Sequence, residues 1–205
     1  MVAVAPHRQL WAQAAANALK TDSTASFTYK PQLLKAFSHF PELAHTAIQI
    51  RVKHAYSPLS TRPRWSTIFR SRDKRAYIIT ISDSSMYKLS PILFMRLSYD
   101  AQVGVLGHEL SHVADFSRKH LFGLIRIGVG HLSGRYLDRF EYKTDSLCIE
   151  HGLGNYLLAW SIFVREALHL AYWRGADSIN RPVIARERYM EPATIERRIR
   201  AKAQH

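Results

Sequence analysis

Apolar residues recur along this chain with two periods, and the changes between them divide it into helical and extended segments. Between Pro6 and Lys20, Leu10, Trp11, Ala14, Ala15 and Ala18 form a stripe at helical spacing, and Thr21-Asp22-Ser23-Thr24 ends it. A second helix is expected from Pro31 to Phe40, with proline in its first turn and Leu33, Leu34 and Phe37 on one face. The period then drops to two. Ala47–Lys53, Arg64–Arg70 and Arg75–Ser82 read as strands, with Arg72-Asp73-Lys74 as a hairpin turn between the last two.

Helical spacing returns after Asp83-Ser84-Ser85. Ser90-Pro91 open a helix or turn running to Leu97. Val103, Leu106, Leu110, Val113 and Ala114 then define a helix that Ser98 or Asp100 caps and that reaches about Phe116. The 12-residue run Leu121–Leu132 is apolar, is interrupted by Arg126 and is too short to span a bilayer. It is expected to be a buried connection rather than a patch lying on a membrane. Further helices are predicted from Ser133-Gly134 to His151-Gly152, from Gly154 to Tyr172, and over Ala193–Ala203 after Glu191-Pro192. The expected class is α+β, helix-dominated, in one domain over 1–205: N-terminal helices at 1–45, a small mixed or antiparallel sheet at 46–82, helices at 98–171 and a basic C-terminal helix at 181–205.

Composition adds little to the fold but narrows the setting. Apolar residues make up 47% of the chain, an ordinary globular share. Cys148 is the only cysteine, which excludes an intramolecular disulfide and makes the cytoplasm the expected location. The N-terminal 20 residues lack the unbroken apolar run of a signal peptide, and no stretch is long enough for a transmembrane span. The net charge of +13 favours contact with polyanions, either nucleic acid or an anionic membrane surface to which the protein would be peripheral. The cations are scattered in short groups such as Arg62-Pro63-Arg64 and Arg197-Arg198, and no nucleic-acid motif accompanies them.

Chemistry concentrates in His108-Glu109-Leu110-Ser111-His112, an H-E-x-x-H pattern inside the helix predicted to start at Ser98 or Asp100. One helical turn separates the histidines, so both imidazoles can reach one metal ion. Glu109 lies about 100° further round, placed to take a proton from water without being a ligand. A catalytic zinc needs a third protein ligand. Glu141, His131, His120, Asp115 and Glu150 compete for that role. Glu141 is preferred because Asp145, four residues on, shares its helical face and can accept a hydrogen bond from a ligand histidine. His151, Tyr156 and Tyr189 are candidate oxyanion donors by residue type alone.

With these two motifs the chain resembles the gluzincin metallopeptidases, which pair H-E-x-x-H with a glutamate in a later E-x-x-x-D, and within them peptidase family M48 and its small single-domain relatives. The resemblance spans about half the chain and implies a zincin-like fold. It also implies one Zn2+ per chain on His108, His112 and Glu141, with Glu109 as general base and Asp145 behind the ligands. The implied activity is metal-assisted hydrolysis of a peptide or protein substrate, which the edge of the preceding sheet could bind by strand addition. Two other readings compete. One is an SprT-like protease acting on nucleic-acid-bound proteins with a histidine as third ligand, and the other is a non-catalytic metal-binding regulatory module.

Overall fold

The computed structural model describes residues 29–85, 87–176 and 186–204; the helix expected at Pro6–Lys20 lies outside them. The described chain contains six α-helices: α1 (Lys30–Phe37), α2 (Tyr99–Ser117), α3 (Leu121–Gly130), α4 (Gly134–Glu150), α5 (Gly154–Leu168) and α6 (Pro192–Ala203). It also contains three strands, β1 (Ala47–Lys53), β2 (Leu59–Pro63) and β3 (Ala76–Ser82). This is the helix-dominated α+β class that the periodicity predicts. No helix among the described residues is long and apolar enough to cross a membrane.

The sheet is mixed, in the order β1-β3-β2. β1 runs parallel to β3, pairing Ile48 with Tyr77 and Ile50 with Ile79, while β2 runs antiparallel to it from Leu59 opposite Ile81 to Pro63 opposite Tyr77. β3 is central and buried from Tyr77 to Ser82. Burial on both faces explains why it reads as a nearly unbroken apolar run, whereas β1 buries only alternate residues at its start.

The second strand lies five residues earlier than its expected start at Arg64. Pro63 has no N–H to continue the ladder, and Trp65–Thr67 turn into a 3-10 helix instead. The Thr67 hydroxyl donates to the Arg64 carbonyl at 2.9 Å and accepts from the Ala76 amide at 3.0 Å, fastening this loop to the start of β3. Trp65, Ile68 and Phe69 are therefore spaced as on a turn, although the segment imitates a strand. Arg72–Lys74, expected as a tight hairpin, is a second 3-10 turn at the end of the same long connection. α5 stops at Leu168 rather than Tyr172, because His169 adopts a left-handed φ of 52° and the amides of His169 and Leu170 close the last turn.

The organising element is α2. The Ser98 hydroxyl caps it by accepting from the Ala101 amide at 3.3 Å, and nearly every residue from Ala101 to Phe116 is buried. It packs against α1, α4, α5 and β2. Its closest approach is at Gly104, where a Cβ would stand 2.1 Å from the Tyr156 carbonyl oxygen and 2.9 Å from the Leu157 amide nitrogen, both on the backbone of α5. A helix backbone cannot yield as a flexible side chain can. Gly104→Ala should therefore destabilise the fold by about 1–3 kcal/mol through overpacking, outweighing the roughly 1 kcal/mol of helix propensity that alanine brings. A lower urea midpoint at unchanged slope would register it.

Candidate metal centre

His108 and His112 project from successive turns of α2 and meet Glu141 from the crossing helix α4. The Glu141 Oε2 atom lies 3.1 Å from His108 Nε2 and 3.3 Å from His112 Nε2, and the two nitrogens are 3.1 Å apart. Ligand atoms 2.0–2.1 Å from a tetrahedral zinc would stand roughly 3.3 Å from one another. The three atoms thus have the spacing of one face of such a tetrahedron. All three side chains are buried, and among the described residues they form a group that could hold a metal ion.

Both rings are fixed from behind by α4. The Asp145 carboxylate accepts from His108 Nδ1 at 2.8 Å, and the Thr144 hydroxyl accepts from His112 Nδ1 at 3.3 Å while donating to the Phe140 carbonyl at 3.0 Å. With each Nδ1 engaged in this way, Nε2 is the ring nitrogen turned toward the other histidine and Glu141, where it carries a proton or, once deprotonated, offers a lone pair to a cation. Glu141, Thr144 and Asp145 occupy positions i, i+3 and i+4 of one helix face, so one strip of α4 supplies the third member of the group and both ring anchors. Phe140 stacks on His112 with ring centroids 5.0 Å apart and restricts its rotation further.

The electrostatics of the cluster favour a cation at its centre. Burial alone would raise the Glu141 pKa, but the charge and hydrogen bonds of His112 and His108 hold it well below the usual carboxylate range. Burial likewise disfavours a charged His108 ring, yet the hydrogen bonds to Asp145 and Glu141 outweigh it and leave its pKa well above the usual histidine value. A divalent cation would supply the same positive charge at the same point. Two imidazoles and a carboxylate suit zinc among the common divalent ions.

The group opens into a cleft of about 680 Å³ bounded on one side by the edge strand β2 and on another by apolar residues of α3 and α4. Glu109 lines this cleft beside His108 and His112 without joining the three-atom group. Its Oε2 atom is buried and has no hydrogen-bond partner among the described residues, so a proton acceptor stands unpaired on a residue that lines the cleft together with the two histidines. The Thr61 hydroxyl of β2 reaches the Glu109 carbonyl at 3.4 Å, tying the edge strand to α2.

The remaining sequence candidates separate clearly. Of the three proposed oxyanion donors, only Tyr189 reaches the site, its ring 5.6 Å from that of His108. His151 belongs elsewhere: it lies ten residues beyond Glu141, about 15 Å along a helix. Its Nε2 pairs with Glu42 at 2.8 Å and its ring stacks on Phe40. Tyr156 is likewise outside the cleft, with its backbone against Gly104 and the Lys35 ammonium over its ring. Among the rival ligands, His131 lines the cleft but stands outside the three-atom group, with its Nδ1 on the Ile127 carbonyl at 2.7 Å, and Asp115 is held by Lys119 and Lys143 at 2.6 and 2.9 Å. His120 and Glu150 are exposed.

Sequence reasoning missed Thr144, although its place three residues after Glu141 on the same face was a usable signal. It also missed the anchoring of Tyr189, for which no local signal existed. The Met190 amide donates to Asp145 Oδ2 at 2.7 Å, so the carboxylate that orients His108 also holds the segment carrying Tyr189. Arg188 and Arg174 clamp the same region onto the buried Asp138 of α4 at 3.0 and 2.8 Å. In comparisons with known proteins, no family model matches the chain, and no curated protein or solved structure matches it significantly.

Proposed function

We propose that this protein is a zinc-dependent metallopeptidase of the gluzincin type, with His108, His112 and Glu141 holding the metal and Glu109 serving as general base. The observation that carries the reading is the combination of three side-chain atoms at tetrahedral spacing with Glu109 in the same cleft, its buried Oε2 atom without a hydrogen-bond partner among the described residues. Bound zinc would supply Lewis acidity toward water and the scissile carbonyl. The other roles belong to the chain. Glu109 takes a proton from the attacking water and delivers it to the leaving amine. Asp145 and Thr144 keep the histidines oriented while this happens.

Tyr189 is the candidate for stabilising the tetrahedral oxyanion. Its burial, with Glu141, Glu109 and Asp145 nearby and Arg188 only partly offsetting them, pushes its pKa well above the usual tyrosine value. The hydroxyl therefore stays protonated and able to donate a hydrogen bond to a developing negative charge. The exposed edge of β2 along the cleft suits an extended peptide bound by strand addition. His131 stands outside the three-atom group, which disfavours an SprT-like ligand set, and the presence of Glu109 disfavours a purely binding module.

The direct test is metal analysis joined to a peptidase assay on an unfolded protein substrate. About one zinc per chain and hydrolysis that a chelator abolishes and zinc restores are expected. A chain that holds no zinc after mild dialysis and rebinds none would end this reading.

A further inference from the structure

The run Leu121–Leu132 is not the buried connection that its composition predicts. It forms α3, which turns Leu124 and Ile127 inward and leaves Phe122, Ile125, Val129 and the following Leu132 in solvent. Phe122 is 85% exposed and Leu132 89%. At 100° per residue, Phe122, Ile125 and Val129 fall within an arc of about 60°, so the outward face of this helix is itself an apolar stripe. Single exposed apolar residues are ordinary, but this stripe has company. Trp65 and Phe69, in the turn after β2, are 65% and 84% exposed. Trp65 lines the same cleft mouth as Ile125 and Val129, and the connection that carries it is tied to the start of α3 by Arg72 and Arg75, which donate to the Arg118 and Lys119 carbonyls at 3.2 and 2.7 Å.

We propose that α3 and the Trp65–Phe69 turn form a docking face for an anionic lipid bilayer. The charge around the face selects this occupant. Segments 59–75 and 118–132 together hold nine Lys and Arg against one acid, Asp73. Arg62, Arg64, Arg70 and Arg126 are exposed among the apolar side chains. A second copy of the chain would bring like charges together, and nucleic acid offers nothing to bury Phe122, Ile125, Val129 and Leu132. A bilayer with anionic headgroups over hydrocarbon matches both features, as it does for amphipathic helices lying in the interface. Because the cleft opens at this face, docking would present it to polypeptide at the membrane surface, a consequence that rests on the peptidase reading.

The test is sedimentation of the full-length protein with phosphatidylcholine vesicles, with and without phosphatidylglycerol. The protein should bind only the anionic vesicles. Phe122→Ser combined with Leu132→Ser should weaken that binding at least about tenfold, since two large apolar side chains no longer leave water. Both positions are solvent-exposed, so zinc content and circular dichroism should not change. Arg126→Gln should weaken binding less and reduce its salt dependence. The proposal is overturned if the intact chain ignores anionic vesicles, or if the double variant binds them as well as the parent. It is equally overturned if the double variant instead abolishes self-association or DNA binding in the absence of lipid. Vesicle binding requires no hydrolysis, so its failure and that of the peptidase reading are separable.

Discussion

Replacing Glu109 by glutamine is expected to leave zinc in place while peptide hydrolysis falls by at least about 100-fold, the lower end for removal of a general base. The substitution is nearly isosteric, and Glu109 is outside the three-atom ligand group, so metal content should match the parent. What changes is proton affinity. A carboxylate can accept a proton from water and return it to an amine, whereas a side-chain amide cannot. The environment of Glu109 makes the comparison clean, because its Oε2 atom has no protein hydrogen bond to lose among the described residues. Stability should consequently change little, and the loss should appear in kcat rather than in KM. Activity equal to the parent in a zinc-loaded variant would mean that another group takes the proton, or that hydrolysis occurs elsewhere.

The second large effect concerns metal affinity. Glu141→Ala should weaken zinc binding by well over about 100-fold, more than the 10–100-fold expected for loss of an orienting neighbour such as Asp145. His131→Ala should leave affinity nearly unchanged. The contrast follows from geometry, since Glu141 Oε2 stands 3.1 and 3.3 Å from the Nε2 atoms of His108 and His112 while His131 is outside that group. Losing Glu141 also leaves two buried histidines without the carboxylate that balances a cation between them, so zinc would sit in a site with one charge fewer. Competition with a chromophoric chelator would rank the three variants. A larger loss for His131→Ala than for Glu141→Ala would replace the glutamate site with an all-histidine one and remove the gluzincin reading.

The positions of both effects were legible before any fold was known, because they depend on neighbours within a few residues. A 3.6-residue repeat puts His108 beside His112 and Glu141 beside Asp145 whatever else the chain does, and a serine just before an apolar helix caps it, as Ser98 does. The same repeat made Thr144 readable in principle. Periodicity also determined the succession of helices and strands closely enough to give the class.

Tertiary structure decided the matters that depend on partners far away in sequence. The choice of Glu141 over His131 became a distance only when α4 crossed α2, with Gly104 and Gly107 letting other backbone and side chains pack close against that helix. The position of Tyr189 depends on Met190 donating to Asp145, 45 residues earlier. An amide carries no side-chain identity for a sequence to reveal. The second strand lies elsewhere because Trp65, Ile68 and Phe69 suit a turn as well as a strand, and the turn is held by Thr67, whose hydroxyl bonds both the Arg64 carbonyl and the distant Ala76 amide. α3 shows the same limit most plainly: an apolar run states how much surface prefers to leave water, but the packing of Leu124 and Ile127 determined which face did so and left Phe122, Ile125, Val129 and Leu132 facing out.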